Sequence, residues 1–368
     1  MFQYIKRGME ERFKDPSNPV LKQPMEPVEA YGNRKECQTL EELAQIQDDV
    51  NAILMERLII RERILGTDNM ALVGAIQDLA DYHNGLGYEN FNICIGLLIH
   101  AIKITQHCHQ SIDLGLTYLI NVLYRMILTN VPPRQKLIID ALEKTVLEYE
   151  KQPEKLKRGL EAVTLEEVKT FLKGVKDREV EHLLDSLLRL LQFLPRDDLH
   201  KDNNKSRLLT LMQTICRLNP RDESGNTLLH LAAVDRNELP LYNPPLLFKF
   251  PCTKTIQLLL NAGINVNAVN SNGDTPLHRA VTFKPRNYKT HLLTDMLKVL
   301  LDGGAHLDFA NNYGKTAIDM AQTNEARRIL SERKTLVLKC IAARAVKKFG
   351  IPYLGVVPKT LERYVSMH

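Results

Sequence analysis

The octapeptide Gly273-Asp274-Thr275-Pro276-Leu277-His278-Arg279-Ala280 decides how this chain folds. Thr275 is placed to cap a helix N-terminus. Pro276 follows at the first helical position, where its missing N–H costs nothing, and Leu277 offers an apolar side chain to a core. The His278 side chain can then tie neighbouring turns together. The same order recurs upstream as Gly225-Asn226-Thr227-Leu228-Leu229-His230-Leu231-Ala232-Ala233 and downstream as Gly314-Lys315-Thr316-Ala317-Ile318-Asp319-Met320-Ala321. Three passes through one pattern exceed what chance supplies and imply a stack of like units.

These passes resemble the T-P-L-H-x-A signature of the ankyrin repeat. The second helix of each unit is expected at 255–261 and 295–302, ended by the glycine stops Ala262-Gly263 and Gly303-Gly304, with extended fingers over 264–268 and 305–309. The spacing between Thr227, Thr275 and Thr316 exceeds the usual repeat of about 33 residues, which places insertions at 237–251 and 283–290. The third pass carries Ala317 for Pro and Asp319 for His, and its second helix, 324–331, is short. That is how a terminal repeat should look.

Upstream, residues 1–14 read as a charged amphipathic helix, and Pro16, Pro19, Pro24 and Pro27 exclude a helix interior over 15–27. Thr39-Leu40-Glu41-Glu42 is a capping box that starts a run through Ile46, Val50, Ile53 and Leu54, and Thr164-Leu165-Glu166-Glu167 is a second. Further helices are expected at 58–65, 70–82, 91–107, 114–128, 135–149, 168–175, 180–194 and 206–217, with breaks at Gly66-Thr67-Asp68 and Asn84-Gly85-Leu86-Gly87. Small residues such as Gly74, Ala75, Ala80, Gly96 and Ala101 sit where helices must approach closely, so the pairs resemble degenerate tetratricopeptide repeats. The charged stretch 151–158, which holds Pro153, reads as a soft boundary.

The C-terminal stretch from Lys334 contains two short amphipathic runs. Leu336, Cys340 and Val346 fall near one helical face after an N-cap at Thr335, with Ile341 and Ala345 beside them. Gly350-Ile351-Pro352 breaks the first run, and Leu361, Tyr364 and Val365 form the second after Val357-Pro358. The segment Thr335-Leu336-Val337-Leu338-Lys339-Cys340 resembles the elongin-binding BC box, although Arg344 stands where an aliphatic is usual. The segment from Val357-Pro358 to Val365 resembles a cullin box, with Ser366 at a position usually hydrophobic. Together, in this order, they resemble a von Hippel-Lindau type box.

Composition narrows the function. The sequence has no Trp, few aromatics and many helix-period Leu and Ile residues, which favours an all-helical protein. No apolar run reaches membrane-spanning length, and Met1-Phe2-Gln3-Tyr4-Ile5-Lys6 opens no signal peptide, so a soluble intracellular protein of the cytoplasm, with the nucleus also open to it, is expected. The six cysteines are scattered without a C-x-x-C pair, as in a reduced chain lacking a zinc ribbon. His100 and His107 share a helix face but stand about 10 Å apart, too far for one ion. They and Cys108-His109 read as a helix end, and no metal or cofactor site is expected. The net charge of +5 lies on no aromatic-interleaved basic stripe, which disfavours nucleic acid. With neither a phosphate loop nor a catalytic constellation, the chain is expected to be non-catalytic.

The whole order resembles the Fem (feminization) family of cullin-2 ubiquitin-ligase substrate receptors, most closely at Cys37-Gln38-Thr39-Leu40-Glu41-Glu42-Leu43 and at Cys340-Ile341-Ala342-Ala343-Arg344-Ala345-Val346 with Ile351-Pro352-Tyr353. The resemblance implies an all-α repeat solenoid. Its parts are a helix and Pro-rich linker (1–34), tetratricopeptide-like helices (35–150), connecting helices (151–221), ankyrin repeats (222–332) and an elongin- and cullin-binding box (333–368). It implies elongin C and elongin B bound through Thr335, Leu336, Cys340, Ala343 and Ala345, and cullin-2 engaged through Val357, Pro358, Leu361, Tyr364 and Val365. Leu336 and Cys340 are then expected to be exposed. Protein substrates with C-terminal degrons are implied, but the family's degron pocket lies in an N-terminal ankyrin array that would precede these residues. That leaves only the loop tips 270–272 and 311–313 free for recognition here. A plain ankyrin scaffold, with the tail as its cap, is the alternative.

Overall fold

A computed structural model describes residues 2–15, 17–18, 20–23, 25–161, 166–194, 204–234, 250–285, 290–333 and 338–368. Thr335 and Leu336 lie outside these residues, as do Pro16, Pro19, Pro24, Thr164, Leu165, most of the first expected insertion and half of the second. The chain forms two compact units, Met1–Glu148 and Tyr149–His368. Among the described residues the secondary structure is helical, with only isolated β-bridges.

The first unit contains α1 (Phe2–Arg12), α2 (Leu40–Gln45), α3 (Val50–Leu65), α4 (Met70–Leu86), α5 (Phe91–His107), α6 (Asp113–Leu128) and the start of α7 (Gln135–Glu161). α5 packs against both α4 and α6, and Ile95, Leu98 and Ile102 of α5 are buried, as are Leu72 and Ile76 of α4 and Leu116 and Leu123 of α6. Helix α1 is not a solitary element. Met9 joins Cys37 and Leu43 in a small core of its own, flanked by Phe2, Ile5, Leu40 and Ile46.

Several boundaries differ from the sequence reading, each for a local reason. The run from Thr39 to Leu54 is two helices, because Asp49 turns extended and its carboxylate caps Ala52 N at 2.9 Å. Helix α4 continues through Asn84-Gly85 and stops at Gly87, at φ +110. Pro153, expected to soften the chain, lies inside α7. Residues 168–175 and 180–194 belong largely to one helix, α8 (Glu166–Gln192), which tolerates Gly174 in its interior.

The histidine cluster does mark a helix end. His107 closes α5, and His109 adopts φ +56. His100 is buried, with Nε2 2.9 Å from Glu62 Oε2, and the same oxygen accepts a 2.5 Å hydrogen bond from Tyr31. None of the six cysteines forms a disulfide. Burial, helped by nearby carboxylates, pushes the Cys37 and Cys94 thiols up to about 12.

In the second unit α8 and α9 (Asn204–Leu218) precede the repeats α10 (Leu228–Ala232) with α11 (Thr253–Asn261), α12 (Pro276–Ala280) with α13 (Thr290–Asp302), and α14 (Ala317–Met320) with α15 (Asn324–Glu332). First helices stack on first helices and second on second. The capping logic of the octapeptide holds in all three copies, since the residue at the third helical position reaches back to the capping Thr: His230 to Thr227, His278 to Thr275 and Asp319 to Thr316. The Asp319 that departs from the signature therefore does the local work of the histidine. It has no ring nitrogen with which to donate to a further repeat.

The loop tips expected to be free are partly structural. Asn270 and Asn311 are buried; each side-chain oxygen accepts two or more backbone N–H groups of its own turn, while Asn270 Nδ2 donates to Asn226 and Asn311 Nδ2 donates to Asp274. Successive tips are also joined by Ser271 N to Ser224 O and Asn312 N to Asn272 O. The exposed remainder includes Tyr313. No helix among the described residues is long and apolar enough to cross a membrane.

Candidate protein-interaction site on the tail

The tail consists of α16 (Leu338–Lys348) and α17 (Lys359–Met367). Helix α16 ends because Gly350 takes φ +62, which lets Ile351 N bond back to Val346 O and satisfies a terminal carbonyl. Gly355 N then donates to Glu362 at 2.6 Å, fixing the connecting segment on α17. Two short helices joined by a kinked linker are therefore present as expected.

Helix α16 has two contrasting faces. Cys340 and Ala343, three residues apart, turn inward, and Cys340 is only 1 % exposed. Leu338 and Ile341, at the same spacing on another face, are 80 % and 48 % exposed. The expected exposure of Cys340 is thus incorrect. Its small side chain lets the helix approach the finger that follows α13, and its sulfur lies 3.2 Å from His306 Nδ1 and 3.0 Å from the Tyr364 hydroxyl. Ala345 is half-buried.

The second set of expected residues also divides. Pro358 and Leu361 are exposed, Val357 and Tyr364 half-buried, and Val365 buried. Exposed Phe349, Ile351, Leu354 and Val356 extend the apolar surface between the helices. On α16 the motif reading picked the inward residues Cys340 and Ala343. The opposite stripe was detectable only as apolar residues at helical spacing with no assigned partner.

The inner face is held by aromatic contacts. The His306 and Phe309 rings stack with centroids 4.5 Å apart, and Tyr364 meets both edge-on. His368 stands edge-on to Phe309 at 4.8 Å, and Lys339 Nζ lies 4.2 Å over the Tyr364 ring. Ala310 N donates to Met367 O at 2.8 Å. Beneath these rings Asp308 is buried, with Oδ2 3.4 Å from Arg344 Nε and 3.3 Å from His368 Nε2. Burial raises the Asp308 carboxyl, but His368 and Arg344 outweigh it and hold it below the usual range. Burial together with the Cys340 contact pushes the Tyr364 phenol upward. His306 and Tyr364 also line a cleft of about 480 Å³ with Arg221, Ile264 and Asn267.

Comparison with known proteins agrees with the repeat architecture. The profile for "Ankyrin repeats (many copies)" matches residues 246–289, and that for a single ankyrin repeat matches 272–312. Capped helix pairs stacked in register define an all-α helical-repeat protein of the ankyrin type. The chain is more particularly a homologue of the fem-1 proteins. It is 30 % identical to fem-1 homolog C of Danio rerio over 100 % of its own length, 28 % to fem-1 homolog A of the same fish over 99 %, and 27 % to human fem-1 homolog C over 99 %. It spans 57 % of the length of each of these relatives.

Proposed function

We propose that this chain is a non-catalytic substrate-recognition or adaptor subunit of a cullin-2 RING ubiquitin ligase, with its tail docking elongin C, together with elongin B, and cullin-2. The observation that carries the reading is the outward apolar stripe of α16, Leu338 and Ile341, beside exposed Leu361 of α17. Large apolar side chains left at helical spacing on a terminal element suit a partner groove that accepts an amphipathic helix. The order of the two box-like motifs and the kinship with the fem-1 proteins support the same assignment.

In this proposal Leu338 and Ile341 make first contact, with Thr335 and Leu336 adjoining them in sequence. Cys340 and Ala343 enter the elongin C groove only when α16 lifts from His306 and Tyr364. Val357, Pro358 and Leu361 face cullin-2, while Tyr364 and Val365 orient α17 from within. Ubiquitin transfer belongs to the partner subunits, and the repeats present protein substrates.

The second reading, an ankyrin scaffold whose tail is merely a cap, is favoured by the burial of Cys340 and by the Ala310–Met367 hydrogen bond. Co-purification with recombinant elongin B and elongin C separates the two. The ligase reading expects a stable complex that Leu338→Asp abolishes while the circular dichroism spectrum and melting temperature stay unchanged. A well-folded wild-type chain that fails to bind elongins would leave the scaffold.

A further inference from the structure

We infer that His306, Asp308, Cys340 and His368 form a zinc site that fastens the tail to the last finger in the chain free of elongin C, since ligation of Cys340 and its entry into a partner groove exclude each other. Each residue offers one ligand atom, and the four atoms lie within 4.8 Å of one another. A tetrahedral ion held at ordinary Zn–N, Zn–O and Zn–S distances separates its ligand atoms by about 3.3–3.8 Å. Here Cys340 Sγ lies 3.2 Å from His306 Nδ1, His306 Nδ1 4.0 Å from Asp308 Oδ1, and Asp308 Oδ2 3.3 Å from His368 Nε2. The last two distances use different oxygens of Asp308; with one oxygen per residue the four donors lie within 4.8 Å of one another, about 1 Å beyond the spacing of a filled site.

The hydrogen bonding supplies an independent argument. His368 Nδ1 lies 2.9 Å from the Tyr364 carbonyl oxygen, which can only accept, so Nδ1 carries a proton. In the neutral ring Nε2 then presents a lone pair. It faces the Asp308 carboxylate oxygen in a buried place, the His368 side chain being 0 % and Asp308 4 % exposed. Neither Nε2 nor Oδ2 makes a well-aligned hydrogen bond, although Oδ2 also stands 3.4 Å from the Arg344 guanidinium. Two buried acceptors facing each other are unfavourable unless a cation or a proton lies between them. The Nδ1-to-carbonyl bond is also the outer contact that orients a metal-ligating histidine.

The chemistry of the set selects zinc. One thiolate, two imidazoles and one carboxylate suit a borderline-soft ion and not the all-oxygen preference of calcium or magnesium. Thiolate and carboxylate together balance the two positive charges, the Cys340 proton leaving to solvent as the ion binds. Arg344 Nε lies 3.4 Å from Oδ2, the oxygen that faces His368, and steadies the carboxylate from outside. The stacked Phe309 ring shields the cluster from one side.

The test uses the full chain, stripped with chelator and titrated with Co²⁺, then with Zn²⁺. The expected result is one equivalent of Co²⁺ giving intense tetrahedral d–d bands and a thiolate charge-transfer band, both erased by stoichiometric Zn²⁺. Cys340→Ser should remove the charge-transfer band, and His368→Ala should weaken binding by at least the roughly 10–100-fold seen on losing a mere supporting contact. The two variants' circular dichroism spectra verify that they are folded. If the folded wild-type chain gives no saturable bands, or Cys340→Ser keeps the charge-transfer band, the site is not a metal centre and a doubly protonated His368 paired with Asp308 explains the geometry.

Discussion

His230 Nε2 donates to the main-chain carbonyl of Asp274, 2.9 Å away in the next repeat, while its Nδ1 accepts from Thr227 of its own. One neutral ring thus caps a helix and couples two repeats. His278 does the same between Thr275 and Lys315 at 3.1 Å.

This double use makes the repeats acid-sensitive. Burial, the dominant influence, holds His230 down to about 4, from an ordinary 6.5. A folded value below the unfolded one means that the unfolded chain binds the extra proton first. The stabilisation is complete above pH 6.5 and is lost as pH falls towards 4, by roughly 3 kcal/mol in total and about 2 kcal/mol by pH 5. Urea unfolding of the second unit at pH 7 and pH 5 should show this loss in wild type and a much smaller one in His230→Gln. An equal pH dependence in both proteins would contradict it.

Glycine substitutions should separate strain from collision. Gly273 and Gly304 both take left-handed backbone, at φ +76 and +90. A Cβ at Gly273 would lie 2.7 Å from Asn312 N in the next tip, whereas one at Gly304 meets open space. Gly304→Ala should cost about 1 kcal/mol, and Gly273→Ala about 2–3 kcal/mol because main chain must move as well. Thermal melts of the two variants decide the order, and comparable losses would show that the tip contact is soft.

In the first unit the buried Glu62 carboxylate is shared by Tyr31 and His100. Burial would raise its carboxyl, yet these two partners hold it below the usual range. Tyr31→Phe should therefore cost about 1.5–3 kcal/mol, the worth of a hydrogen bond to a charged group. Hydrogen exchange of the α3 and α5 amides reads the effect locally. Unchanged protection there would mean that His100 alone satisfies Glu62.

The two tail helices should also be separable in binding. Replacing Val357, Pro358 and Leu361 with Ala should weaken cullin-2 association at least tenfold while leaving elongin binding nearly intact. Tyr364 and Val365 are left untouched because Tyr364 packs on the finger and Val365 is buried. Equal loss of both partners in pull-downs would identify the segment as a cap.

Much of this protein was written in short-range chemistry. The Thr caps, the proline at 276 and the glycine stops act within a few residues, so the three repeats, α5 and the paired tail helices could be read without coordinates. Boundaries failed where a second local preference competed, as when Asp49 restarted a helix that periodicity alone would have continued. The tail face could not be read in the same way. Motif spacing put Cys340 outward, but the partner that turns it inward is His306, 34 residues away, on a finger whose course depends on how α13 stacks. The pairing of Asp308 with His368 is longer still. Sequence alone therefore determined the repeats and the apolar character of the tail. Only the tertiary structure decided which side of α16 is spent on the fold and which is left for a partner, because that choice depends on aromatic packing between segments that local propensity does not connect.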